Sequence, residues 1–597
     1  SDRDVSAQVP INFVPHPGVH VTAACFGNNI YEDAAAEDCL SNLLLSQIRR
    51  YVIDVYWDTV NRRFSLCPVE IPGLSSDNSE IATSEGSIAA ASTVSTVTSS
   101  SLGARQITPT SVSNATLLAT ESSMTATSTA AVYTVISSDD GNRVLQLGPY
   151  RCSDTLTLAS VTSIFSQYMT RTANTLDAKL HLWILNLHVA YSLDQPTTPR
   201  TNLSSELLPN STENVATYLK NVEDVLYDPG TLLSDRQNLN SSWFRRGSEN
   251  ELPLTAYFDT FPLSSGDLAT DNGWPGEEYI QVDKGKRMLV GFGDIDSGMS
   301  GYNISMDSGA VYPPNYISNV QNPTYQSNGR LATGCYYNAN EFSVSQLNNS
   351  WAVAPINSIN PRDLGATADN LTNCGFSQLL NVTIDGVTAD SVAGPYQDFG
   401  NNAVFGWAYG QPENDTSQRV DDNQKFRCAL MVATDAYRGH WRVDYCSERH
   451  HVACREAESP YKWRISGFEV SYSGGDGACT GNTTFDVPRT GLENTYLYNK
   501  VLYDAQDDSS LLDGIWINFN SLDHQNCWVT TGINGSCPYY QDSSAFQSRH
   551  ILIPALAALI VLLLTVLTIL VKCTSNARHS KNRRRGDGGW DYEGVPS

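Results

Sequence analysis

"QIRRYVIDVYWD", residues 47–58, is the stretch on which the fold turns. Its centre, Tyr51–Tyr56, is rich in β-branched and aromatic residues, as expected of a strand buried on both faces. The apolar runs "LHLWILNLHVA" (180–190) and "KRMLVGFG" (286–293) are of the same kind, and 19–25 is a further strand candidate. A helix candidate, "AEDCLSNLLLSQI", leads into the stretch. The spacing Leu156, Leu158, Val161, Ile164, Phe165, Tyr168 predicts an amphipathic helix between the later strands. Strands alternating with helices over the first 320 residues predict an α/β fold, TIM-barrel-like.

Residues 75–138 break this texture. They are dominated by Ser and Thr, with almost no aromatics, and are expected to form a disordered, O-glycosylated insertion within the barrel domain. At the other end, Ile551–Val571 is an uncharged apolar run of the length a membrane-spanning helix needs. Lys572, Arg578, Lys581, Arg583, Arg584 and Arg585 follow it and only Arg549 closely precedes it. The positive-inside rule then puts the tail 572–597 in the cytosol and the folded mass outside it. The opening "SDRDVSAQVP" is read as that of a mature chain after signal-peptide removal. The expectation is a single-pass type I membrane protein of the endoplasmic reticulum, the later secretory pathway or the cell surface.

Glycosylation and cysteine signals agree with that orientation. Sequons at Asn114, Asn202, Asn210, Asn240, Asn303, Asn348, Asn370, Asn381, Asn414, Asn482 and Asn534 all precede the span, and none follows it. Of the 13 Cys, all but Cys573 lie on the same side, where disulfides persist. Cys25–Cys39 is one pairing expected there. A net charge of −25 disfavours direct nucleic-acid binding, which needs clustered Lys and Arg.

"PGVHVT" (17–22), "QIRRYVIDVYWD" and "FSLCPV" (64–69) resemble the opening of the phosphatidylinositol-phospholipase-C-like phosphodiesterase barrels. "LYDPGTL" (226–232) and "GWPGEEYIQVDKGKRMLVGFG" (273–293) resemble later elements of that family. The resemblance implies a barrel over 1–325 with His20, Arg50 and Asp54 at its mouth. The family's chemistry uses two histidines, one as base and one as acid. The second falls at Pro68, which has no titratable group, so the mouth is expected to be vestigial and the protein not an enzyme. The same resemblance implies a Cys67–Cys152 disulfide closing off the insertion.

"FGWAYGQPEN" (405–414), "FRCALM" (426–431) and "GHWRVDYCSERHHVACR" (439–455) resemble the second half of a C-type lectin-like domain. The likeness implies an α+β module over 330–456, with disulfides Cys428–Cys446 and Cys374–Cys454, Cys335 being the alternative partner of Cys454. "WRISGFEVSYSGGDGAC" (463–479) and "GIWINFNSLDHQNCWV" (514–529) suggest a second, partial module over 457–545, with Cys479–Cys537. One irregular domain is the alternative. Arg442 and Val443 follow Trp441 where that family's Ca²⁺-binding Asn-Asp pair would stand, so no metal or cofactor is expected. Trp407, Gln411, Glu413 and Trp441 remain candidates for calcium-independent glycan or protein binding.

Taken in order, "CLSNLLLSQIRRYVIDVYWD", "NGWPGEEYI", "RCALM", "VPRTGLEN" and "WINFNSLD" ahead of one C-terminal span resemble the fungal maintenance of telomere capping protein 6 family. With the topology above, the resemblance implies a lumenal scaffold or receptor whose part in telomere capping is indirect. Its partners would be other membrane or secreted proteins, or glycans. A cell-wall glycan binder and a divergent phosphodiesterase are the alternatives.

Overall fold

The computed structural model describes residues 2–73, 133–137, 143–174, 177–244, 256–326, 328–359, 364–413, 426–537 and 558–572. Outside them lie most of the expected insertion, the sequons Asn114 and Asn414, the first turns of the expected span, Cys573 and the tail.

Seven parallel strands follow one another around a curled sheet. They are β1 (Gly18–His20), β2 (Arg50–Asp58), β3 (His181–Val189), β4 (Met288–Ile295), β5 (Asn319–Val320), β6 (Ala352–Ile356) and β7 (Ser377–Leu380). The spatial order β4–β3–β2–β1–β7–β6–β5 is the chain order closed on itself. Tyr312 pairs with Gly291 on β4, and a few residues later Asn319 pairs with Ala352 on β6. One segment thus bridges both sheet edges. Helices α1 (Val21–Phe26), α2 (Asp33–Leu45) and α3 (Leu158–Arg171) lie on the outer face.

The alternation of a strand sorts side chains into two cores. Val52, Leu182, Ile184, Leu289, Val353 and Leu379 point into the barrel. Tyr51, Ile53, Val55, Trp183, Leu185 and Val290 pack outward against Leu40, Leu43, Val161 and Phe165 of the helices. Both sets are buried, which is why these strands read as unbroken apolar runs. Gly18 is required by this packing, since a Cβ there would stand 2.7 Å from the Arg50 Cβ.

Three boundaries differ from expectation. The candidate strand 19–25 ends at His20 and turns directly into α1. The barrel does not stop at 325, because β6 and β7 belong to its sheet. They are short, and the Cys- and Gly-rich texture around them masked their period. Thr134–Ser137, within the expected insertion, forms a strand paired with Arg143–Leu147.

The expected modules 330–456 and 457–545 are not two units. β8 (Phe426–Met431), β9 (Trp441–Tyr445), β10 (His451–Glu456), β11 (Trp463–Ile465), β12 (Thr483–Phe485) and β13 (Ile515–Asn520) build one sheet, ordered β9–β8–β13–β10–β11 with β12 also on β10. β13 comes from the expected second module yet fills the slot between two strands of the first, where all six of its residues are buried. Helix α4 (Gly491–Asp504) packs against this sheet through Leu492, Leu497 and Val501.

Six disulfides cross-link the described chain. Cys25–Cys39, Cys67–Cys152 and Cys428–Cys446 are present. Cys374 pairs with Cys335, Cys454 with Cys479 and Cys527 with Cys537, in place of the expected Cys374–Cys454 and Cys479–Cys537. The correction follows from topology. Cys374 ends a helix packed on the barrel, whereas Cys454 lies within the second sheet.

Residues 558–572 are helical, and their large apolar side chains are exposed. No helix among the described residues is long and apolar enough to cross a membrane.

Candidate functional site at the barrel mouth

The C-terminal ends of parallel barrel strands are where such folds place chemistry. Beyond Arg50, the inward-facing positions of β2 and β3 change from apolar to polar towards this end. On β2 the inward series runs Arg50, Val52, Asp54, Tyr56; on β3 it runs Leu182, Ile184, Asn186, His188. Asp54 stands opposite Asn186, and Tyr56 opposite His188. Gly293 on β4 leaves room for them, since a Cβ there would overlap Asn186 Oδ1.

Asp54 is the hub. Its Oδ2 accepts from Thr22 Oγ1 at 2.6 Å, and its Oδ1 from Asn186 Nδ2 at 2.9 Å. His188 Nε2 lies 3.3 Å and His20 Nε2 3.5 Å from the same Oδ1. On its other side, His188 Nδ1 is 3.5 Å from Asp296 Oδ2. Asp296 is held by the backbone N–H groups of Val189 and Met299, at 3.1 and 2.9 Å. His188 is thus clasped between two carboxylates.

The electrostatics follow from that geometry. Burial opposes charge on His188, but its pairing with Asp296 and Asp54 prevails and raises its pKa to about 9. Burial likewise pushes the Asp54 carboxyl up. His188, His20, Thr22 and Asn186 outweigh it and hold the carboxyl at about 2. Because the folded His188 binds its proton more tightly than an ordinary imidazole of pKa 6.5, its contribution is complete below that value and is lost as pH rises through about 9. The Asp54 contribution is complete above 3.8 and is lost as pH falls through about 2. Raising the pH from 7 to 10 should therefore cost about 2–3 kcal/mol through His188. Denaturant midpoints across that range, compared with His188→Gln, read this directly; the variant should lack that part of the slope.

Arg50 is not at this end. It lies in register with Gly18 at the start of β2, buried, with Nη1 donating to the Ile317 carbonyl at 3.1 Å and its guanidinium over Trp351. Pro68 does reach the rim, where its carbonyl accepts from Tyr191 N at 2.7 Å. The second imidazole comes instead from His188, which sequence reading left inside an apolar strand. Its signal was the alternation Asn186-x-His188 at the end of that run, the same alternation that ends β2.

The model described as the MTC6 partial TIM-barrel domain matches residues 1–394, which takes in every strand of the curled sheet and both mouth histidines. The chain belongs to the maintenance of telomere capping protein 6 family. Relatives of that name include one from Lachancea thermotolerans, 25% identical over 74% of this chain and 80% of its own length. Those from Meyerozyma guilliermondii and Candida albicans (strain WO-1) are each 21% identical over 100% of this chain and 94% of their own. No solved structure matches.

The remaining candidates of this family member lie on or beside the second sheet. Trp441 is fully buried, its Nε1 donating to Asn494 Oδ1 at 3.0 Å. Trp407 packs edge-on to Trp528, with ring centroids 4.6 Å apart. Gln411 Oε1 accepts from Val443 N at 3.0 Å, and Glu413 is exposed. The two tryptophans and Gln411 are structural in their contacts.

Proposed function

We propose that the protein is a non-catalytic, membrane-anchored lumenal glycoprotein of the fungal secretory pathway. It acts as a receptor or scaffold with the barrel mouth as its ligand site. The observation that carries this reading is the clasp on His188. A phosphodiesterase needs cationic groups facing the phosphate and two histidines free to exchange protons with it. Here the imidazolium is neutralised between Asp54 and Asp296, and both histidines approach one carboxylate oxygen. Among the described residues no Lys or Arg forms an ion pair with either carboxylate.

The apolar run Ile551–Val571 and the exposed apolar side chains of 558–572 support anchoring in lipid. The described sequon asparagines are exposed, apart from the half-buried Asn370. With a net charge of −25, the part in telomere capping that the relatives' name records is indirect in this protein.

The test is hydrolysis of phosphatidylinositol vesicles and of bis(p-nitrophenyl) phosphate by the full chain in detergent. Turnover is expected to equal that of a His20→Ala/His188→Ala double variant. Turnover that the double variant abolishes would overturn the non-catalytic reading.

A further inference from the structure

Four tyrosines frame the His–Asp centre. Tyr56 stands at the top of β2, its ring stacked on His188 with centroids 5.0 Å apart. Tyr191, two residues past the end of β3, meets Tyr56 edge-on at 6.2 Å. Tyr31 lies on the short strand Ile30–Tyr31, which pairs with the strand Tyr150–Ser153, and its ring meets that of Tyr150 at 6.1 Å. Tyr31 and Tyr56 are only 3% and 8% exposed. Yet none of the four hydroxyls has a hydrogen-bond partner among the described residues, and none is a buried unpaired atom, so what stays exposed of these rings includes the hydroxyl, free to meet a ligand. Burial first, then the Asp54 charge, pushes the Tyr31 and Tyr56 pKa values up, so both remain hydroxyls able to donate and accept.

The charged groups beside them are already engaged. Asp54 receives Thr22, Asn186 and His188, and Asp296 receives two backbone N–H groups and His188. An anion would meet two carboxylates, and among the described residues no Lys or Arg pairs with either. An ammonium ligand would have to displace His188. What the mouth presents without a partner is a ring of neutral hydroxyls on aromatic rings, complementary to a ligand rich in hydroxyls of its own. The half-exposed Tyr150 and Tyr191, and the 27% exposure of the His188 and Asp296 side chains, leave it open to solvent.

We propose that the barrel mouth binds a neutral saccharide, its hydroxyls paired with those of Tyr31, Tyr56, Tyr150 and Tyr191 around the Asp54–His188 centre. This rests on the reading of the mouth as a ligand site rather than a phosphodiesterase. It places recognition on the barrel and not at Trp407.

Saturation-transfer NMR on the full chain in detergent tests it with mannotriose, laminaritriose and choline as probes, and ³¹P line broadening tests it with inorganic phosphate. At least one trisaccharide should bind, and Tyr31→Phe/Tyr56→Phe, which keeps both rings, should weaken it tenfold or more. Phosphate and choline should give no signal. Absence of saccharide binding, or binding that survives the double variant but fails in Trp407→Ala, would overturn the proposal while leaving the non-catalytic reading intact. Phosphate binding lost on His188→Asn would overturn the proposal, and phosphodiester turnover lost in the same variant would overturn the non-catalytic reading with it.

Discussion

Asp486→Ala is expected to destabilise the protein by about 3–5 kcal/mol, the range for breaking a buried ion pair from one side. Asp486 is buried, with Oδ2 2.7 Å from Arg455 Nε and Oδ1 2.9 Å from Arg489 Nη1. Burial opposes its charge, but the two guanidiniums hold its pKa below the usual carboxylate range. Glu493, at 1% exposure, completes the group by accepting from Arg489 N at 2.8 Å and from the Tyr257 hydroxyl. Ser6 Oγ donates to the Arg489 carbonyl at 2.6 Å. The network therefore joins the N-terminal segment and a barrel loop to the second sheet. Removing Asp486 leaves two buried arginines facing one acid. Chemical unfolding followed by near-ultraviolet dichroism would read the loss, and signals from both halves should shift together. A change under 1 kcal/mol would mean that water reaches the network.

The double variant Cys67→Ser/Cys152→Ser is expected to lose about 4–5 kcal/mol in the chain-entropy account of cross-links. The bridge spans 85 residues, and both sulfurs sit in the outer barrel core. Cys527–Cys537 spans only 10 residues, and its removal should cost about 2–3 kcal/mol by the same relation. The difference between the two variants isolates the dependence on loop length. Equal losses would place the stabilisation in native-state packing instead. Denaturant midpoints under identical redox conditions decide between these outcomes.

Much of the barrel was legible because its strands are buried on both faces. Runs such as Tyr51–Tyr56 and Leu182–Leu187 are too short for a helix of the core and rich in β-branched and aromatic residues, which marks them as strands. The short strands β5, β6 and β7 carry too few residues to show a period, so the boundary fell early. β13 was legible as a strand but not in its partners, because strand order is decided by contacts far apart in sequence. The mouth was half visible. His20 and Asp54 stood out through a family pattern, and that pattern turned attention to Pro68 for the missing imidazole. His188 belongs to the next strand over, and only the register Asp54↔Asn186, Tyr56↔His188 brings it to the site. Asp296 depends on the same geometry, just past the end of β4. The tyrosine frame spans three separate strands and loops, and no local spacing announces it.

The barrel mouth is centred on an imidazolium held between Asp54 and Asp296. The most direct measurement is the pH titration of the His188 ring by NMR on selectively labelled histidine, assigned with His188→Gln. A midpoint near 9, moved toward 6.5 by Asp296→Asn, is the predicted result. A midpoint at or below 6.5 in the wild-type protein would mean that His188 is a free, neutral base, and would contradict the closed centre on which the non-catalytic reading stands.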